Sequence, residues 1–148
     1  MDVTRRPACE ADTAFARTVH HRAYRAVVER QFGAWRDDDQ ERYFAGDWAP
    51  AYYEIVLCDG TACGYVCIED RVQDIHVREL VLLPEYQGHG IGSTLLREVM
   101  DRARTRRVPV RLGTFHQNRA LALYRRLGFR EIGHTETQTL LEWGSGLA

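Results

Sequence analysis

Residues 79–96 read ELVLLPEYQGHGIGSTLL, and the order of residue types in this stretch decides the architecture. An apolar run interrupted by Glu79 stops at Pro84, three glycines follow at Gly88, Gly90 and Gly92, and Ser93-Thr94-Leu95-Leu96 leads away from them. The pattern predicts strand, loop, helix. The strand is expected over residues 76–83. The helix is expected over residues 90–106, with Leu95, Leu96, Val99, Met100 and Ala103 recurring on one helical face. Glycines allow backbone angles closed to other residues and let a ligand come close to the main chain. The first turn of a helix offers amides without intrahelical acceptors at the positive end of its dipole. A glycine loop that runs into a helix start is therefore suited to a diphosphate.

Moving outward toward the amino terminus, residues 53–58 and 61–68 are strand-like runs joined by Asp59-Gly60. Asp-Gly accepts the positive φ angles of a type I′ turn, so the two runs are expected as a hairpin. Residues 35–50 are aromatic and acidic, with a short helix expected near 40–44. Residues 11–32 read as a helix that buries Phe15, Val19, Ala23 and Val27 and ends at Gly33, and a short edge strand is expected over residues 3–8. Toward the carboxyl terminus a strand is expected at 108–114 and a helix at 118–127. Asn118 suits its N-cap, Gly128 its left-handed C′ position, and Phe129 the apolar contact that accompanies such an end. Strands near 130–136 and 138–143 complete an α+β order. No repeat or linker divides the chain, and residues 1–148 are expected as one domain.

Composition narrows the functions. The chain has 148 residues, 45% apolar and 28% charged, and a net charge of -1. That balance argues against nucleic acid as a partner, since such binders carry a basic excess. No apolar run approaches the roughly 20 residues that span a bilayer, so no membrane role is expected. Residues 1–18 lack the apolar segment of an export signal, which predicts a cytoplasmic protein with reduced thiols. Cys9, Cys58, Cys63 and Cys67 lack zinc spacing, and Cys63 and Cys67 are expected on one buried strand face. His20, His21, His76 and His134 show no metal spacing either, and no metal is expected. A Rossmann dinucleotide loop fits poorly. Pro84-Glu85-Tyr86-Gln87 separates strand from glycines, the loop lies past mid-chain, and residues 108–114 contain no acidic residue for a ribose.

With these residues in view, the chain resembles the GCN5-related N-acetyltransferases. Gln87-x-x-Gly90-x-Gly92 after a strand resembles that family's acetyl-CoA motif, and Asn118-Arg119-Ala120-Leu121-Ala122-Leu123-Tyr124 followed by Leu127-Gly128-Phe129 resembles its second signature. The resemblance covers roughly residues 68–130. It implies the acyl-CoA N-acyltransferase fold, a mixed, mostly antiparallel sheet of six or seven strands flanked by helices. It implies acetyl-CoA as cosubstrate and direct transfer of the acetyl group to a primary amine, either on a small molecule or as an exposed amino group. It further implies that amides of Gln87, Gly88, His89, Gly90, Ile91, Gly92 and Ser93 hold the diphosphate, and that Asn118 meets the pantetheine arm. The Leu82 backbone would pair with that arm as it splays from residues 108–114, its amide polarising the acetyl carbonyl. Arg119 or Arg125 would reach the 3′-phosphate. A homodimer is compatible with the resemblance. An acyl-CoA sensor without catalysis is the alternative, which the presence of Glu79 and Tyr124 disfavours.

The residues themselves suggest the proton chemistry. Alternation puts Ile75, Val77, Glu79, Val81 and Leu83 on one face. A carboxylate in such a row is costly to bury unpaired. It is either a general base, in keeping with the glutamate that the family often places on this strand, or half of an ion pair with an arginine. Tyr124 lies on the inward stripe of its helix and is either an acid, as the family's tyrosine near the CoA sulfur is, or a core aromatic. His116 precedes Asn118 and is expected as a solvated loop residue, the other reading being a site-lining one. For the acceptor, Phe32, Trp35 and Tyr43, with Phe44 and Trp48, lie among Asp37, Asp38, Asp39, Glu41 and Asp47. Aromatics beside carboxylates suit a cationic amine, and equally suit a core stripe with an acidic solvated face.

Overall fold

A computed structural model describes residues 1–144, and the last four positions of the expected domain lie outside the described residues. Seven strands form one sheet in the order β1-β2-β3-β4-β5-β7-β6. These are β1 (Val3–Pro7), β2 (Glu54–Cys58), β3 (Thr61–Asp70), β4 (Ile75–Leu82), β5 (Val110–Phe115), β6 (Arg130–His134) and β7 (Gln138–Trp143). The helices are α1 (Thr13–Phe32), α2 (Asp37–Asp47), α3 (Ile91–Arg106) and α4 (Ala120–Arg126). β4 and β5 run parallel, whereas β1 with β2, β2 with β3, β5 with β7 and β6 with β7 are antiparallel. The sheet is thus mixed and mostly antiparallel, as the family resemblance implied. Among the described residues no helix is long and apolar enough to cross a membrane. The chain divides into two compact units, Met1–Cys67 with Glu79–Ile91, and Ile68–Arg78 with the chain from Gly92 onward.

In the first unit, a 3-10 turn at Glu10–Asp12 starts α1 in place of the helical residues expected from position 11. Both Asp12 oxygens accept from the Arg6 guanidinium, at 2.9 Å each, and Asp12 also accepts the Cys9 amide at 2.9 Å. Gly33 ends α1 at φ 87°. α1 buries Ala16, Val19, Val27 and Val28. The core continues through Phe44, Tyr53, Ile55, Tyr65, Cys67 and Val81, with Phe15 and Ala23 packed at its margin. α2 is longer than the short helix expected. Asp37, Asp38 and Asp39 occupy its first turn, where negative charge favours a helix, and Phe44 anchors it. Asp59 and Gly60 have φ of 50° and 82°, so the β2–β3 turn has the positive angles a type I′ turn needs. Cys63 and Cys67 are buried on β3, and burial pushes the Cys63 thiol up to about 11.

The second unit buries Ile75, Val77, Leu95, Leu96, Val99, Met100, Ala103, Val110, Leu112 and Leu141. The end of α4 follows from three residues. Gly128 takes φ 99°, its amide bonds the Arg125 carbonyl at 3.0 Å, and the Phe129 amide bonds the Tyr124 carbonyl at 3.0 Å. That is the double bond of a Schellman end, completed by the Phe129 ring against Tyr124 at 5.9 Å between centroids.

Candidate active site

β4 carries Glu79 half-buried in the row of Ile75, Val77 and Val81. The Tyr53 hydroxyl donates to Glu79 Oε1 at 2.7 Å, and the Tyr24 hydroxyl donates to Oε2 at 2.8 Å. The Tyr65 hydroxyl stands 3.5 Å from Oε2. The three phenols come from α1, from the residue before β2, and from β3. Burial, then the neighbouring Glu79 charge, push the Tyr65 phenol well above its ordinary value. The half-buried carboxylate is therefore surrounded by phenols. Arg22 of α1 pairs with Glu85 at 2.8 Å.

Beyond Glu79, two features shape the end of β4. Its parallel ladder with β5 registers Ile75, His76 and Val77 with Val110, Arg111 and Leu112, while β4 itself continues to Leu82. On the β3 side, Gly64 lets the backbone pass close by, since a Cβ there would lie 2.2 Å from the Val81 carbonyl oxygen. The Leu83 amide bonds the Cys63 carbonyl at 2.8 Å, and the Gln87 side-chain amide donates to the Leu82 carbonyl at 2.9 Å. A 3-10 turn at Pro84–Tyr86 then leads into the glycines. Gln87, Gly88, His89 and Gly90 are exposed, whereas Ile91 and Gly92 are buried at the start of α3 and Ser93 is half-buried. Gly88 and Gly90 take φ of 76° and 87°; a Cβ on Gly88 would meet nothing within 4 Å, and one on Gly90 only Met1 Cε at 3.8 Å. An exposed loop in left-handed angles, open above its glycines and continuous with a 16-residue helix start, fits a diphosphate ligand.

In the second unit, Asn118 is tied to its own neighbourhood. Its Nδ2 donates to Thr114 Oγ1 at 2.8 Å, and its Oδ1 accepts the Ala120 amide at 2.9 Å. α4 starts two residues later than expected, with Arg119 in helical angles at the formal cap position. Asn118 still satisfies an amide of the first turn, which is the cap's physical task. Tyr124 is buried at 7% exposure, and that burial pushes its phenol up to about 12. It keeps its proton at neutral pH and can serve as a proton donor. His116 lies half-buried in the turn after β5 and is hydrogen-bonded rather than freely solvated: Nδ1 lies 2.8 Å from Thr139 Oγ1, and Nε2 faces the Thr135 and Glu136 carbonyls at 3.1 and 3.2 Å. It holds the approach to β7.

The aromatic and acidic stretch divides. Phe44 and Trp48 stack at 5.8 Å in or beside the core, while Phe32 and Tyr43 stay exposed at 50% and 60%. Trp35 packs on the His20 and His21 rings and donates Nε1–H to Asp37 at 2.8 Å. Asp39 pairs with Arg42, and Glu41 pairs with Arg17 and His21. Burial pushes the His20 imidazole down to about 4. Sequence reasoning missed Tyr24, Tyr53, Tyr65 and Gly64. Tyr53 immediately precedes β2 and Tyr65 lies on β3, so the hairpin brings those two together, but nothing local marks them as partners of Glu79.

A glycine loop between β4 and α3, a mixed seven-stranded sheet and the Schellman-ended α4 define an acyl-CoA N-acyltransferase by fold. The profile of the acetyltransferase (GNAT) family matches residues 18–129, and the chain belongs to that family. It is an acetyl-CoA-dependent N-acetyltransferase. The N-alpha-acetyltransferase RimI of Mycobacterium tuberculosis is 34% identical over 111 residues, covering 64% of this chain and 70% of that protein. Among solved structures, PaiA N-acetyltransferase from Thermoplasma acidophilum in complex with coenzyme A superposes with a TM-score of 0.78 at 17% identity, covering 97% of this chain and 99% of that one. The ribosomal-protein-S18-alanine N-acetyltransferase from Escherichia coli gives 0.63 at 21% identity, covering 95% and 91%. At those identities the two structures speak for the fold.

Proposed function

We propose that this enzyme acetylates an exposed primary amine, with an α-amino group as the leading acceptor, by direct attack on the thioester within one domain spanning 1–148. The carrying observation is Glu79, a half-buried carboxylate held by phenols on the strand that leads into the glycine loop. An alkylammonium has a pKa of about 10.4, so freeing its lone pair at neutral pH costs about 4 kcal/mol, whereas an α-amine near 8 costs about 1. Glu79 receives the proton that the amine must lose. The new N–C bond forms as the C–S bond breaks; the nitrogen's second proton passes to solvent, Tyr124 gives its proton to the departing sulfur and is reprotonated from solvent, and Glu79 returns its proton to solvent, so amide, free thiol and one net proton are the products. Bound acetyl-CoA supplies the activated acyl carbon. Main-chain amides of residues 87–93 bind its diphosphate, and the Leu82 backbone and Asn118 orient the pantetheine arm. Holding both reactants in place supplies much of the rate.

The α-amine reading draws support from the mycobacterial relative, which is named an N-alpha-acetyltransferase. Phe32, Trp35 and Tyr43 would contact the acceptor, with the acidic side chains of α2 attracting its charge. The test is thiol release from acetyl-CoA across peptides with free amino termini, polyamines and aminoglycosides. Peptides should give the highest kcat/KM, and blocking their amino termini should abolish release. Higher kcat/KM for polyamines or aminoglycosides would reject the α-amine reading. Release with none of them would reject transfer to amines in favour of a sensor.

A further inference from the structure

We propose that Tyr24 and Tyr53 are positioning residues for the transfer: each donates its phenolic proton to one oxygen of Glu79, and together they fix which lone pairs of that carboxylate face the acceptor. The inference rests on Glu79 receiving the acceptor's proton. An ionised carboxylate only accepts hydrogen bonds and offers about four lone-pair sites. Tyr53 occupies one on Oε1 at 2.7 Å and Tyr24 one on Oε2 at 2.8 Å. Because the donors stand on different oxygens and on different elements, the carboxylate cannot rotate about its own bond without losing both.

The donors are themselves held. Tyr53 is 2% exposed and packs on Trp48 at 4.8 Å and on Tyr65 at 5.5 Å between ring centroids. Tyr24 packs on the His20 ring at 4.8 Å. Tyr65 on β3 faces Oε2 at 3.5 Å, Asp47 of α2 bears on Tyr65 electrostatically, and His20 of α1 is kept neutral by burial. Phenols that keep their protons donate to the ionised carboxylate, so they favour the form that can receive a proton. The arrangement selects both the direction and the protonation state of the acceptor group on β4.

The pH dependence of kcat/KM with a peptide acceptor separates this role from a structural one. Tyr24→Phe and Tyr53→Phe should each move the acid limb of the profile upward by about half to one pH unit, because a donor to the charged form is lost. They should also lower kcat about ten- to a hundredfold through misplacement, with KM for acetyl-CoA within about twofold. Tyr52→Phe, on a residue 71% exposed, should leave the profile in place. Glu79→Gln should remove the limb. If Glu79→Gln removes the limb while both phenylalanine variants leave it where it was, the positioning role is overturned and the base reading survives. If Glu79→Gln retains the wild-type limb, the base reading itself fails. Should Tyr53→Phe not fold, Tyr24→Phe at its half-buried site decides alone.

Discussion

Tyr124 shows how one residue's environment sets its chemistry. Its phenol is buried and pushed up to about 12, so it holds its proton at neutral pH and well above it. Tyr124→Phe should lower kcat about a hundredfold, the usual worth of a positioned acid, and leave the acetyl-CoA Kd within about twofold. The wild-type kcat profile should show no basic limb below about pH 10, because the acid does not ionise there. A basic limb near pH 8 would assign the donor to another group. Glu79 was legible in the sequence as a carboxylate in an apolar row, because alternation is a local property. Its phenols were not legible, because Tyr24, Tyr53 and Tyr65 come together only through the packing of α1 and the β2–β3 hairpin on β4. The partners of His116 were hidden for the same reason, lying on β7 and in the turn that precedes it.

At the level of elements, the backbone geometry of β4 and the loop is the controlling feature. A methyl group on Gly64 would stand 2.2 Å from the Val81 carbonyl, which is main chain and cannot swing aside. Gly64→Ala should therefore destabilise by about 1–3 kcal/mol in chemical denaturation, as overpacking does, and weaken acetyl-CoA binding by displacing Leu82. Gly90 has φ 87° and free space around it, so Gly90→Ala meets strain rather than collision. The left-handed penalty of about 1–2 kcal/mol should appear as weaker acetyl-CoA binding in calorimetry, with the melting temperature falling only slightly. Unchanged affinity would detach the loop from the ligand. The hairpin turn, the glycine loop and the Gly128 end were readable because each depends on residues adjacent in the chain. The length of α2 and the start of α4 were missed although their signals are local as well: Asp37, Asp38 and Asp39 make an acidic first turn, and Asn118 bonds Thr114 four residues back and the Ala120 amide two ahead.

Across the whole molecule, stability should depend on pH through two buried acidic anchors. Asp12, held by Arg6, and Asp74, held by Arg71 and Arg111, both have carboxyls shifted below their ordinary values by these hydrogen-bonded guanidiniums. Folded values below unfolded ones mean stability that is present above the ordinary carboxylate range and lost as pH falls through it. The melting temperature should be flat between about pH 6 and 8 and drop below about pH 4, and Asp74→Asn should both lower the plateau and shrink the drop. A drop of the same size in Asp12→Asn and Asp74→Asn as in wild type would place the acid sensitivity elsewhere. The order of elements could be read along the chain, and the family, with the mixed sheet it implies, from the segment at residues 79–96 and the Asn118–Phe129 signature. The acceptor could not. Phe32, Trp35 and Tyr43 belong to a stretch whose aromatics divide between core and surface only once α2 is packed.

The most direct test is a calorimetric comparison of acetyl-CoA with S-acetylpantetheine, which carries the same thioester and arm without the diphosphate. A cradle of main-chain amides at residues 87–93 predicts that acetyl-CoA binds at least about tenfold more tightly, a difference of about 1.4 kcal/mol, and that Gly90→Ala narrows the gap. Equal affinity for the two ligands, unaltered by Gly90→Ala, would contradict it.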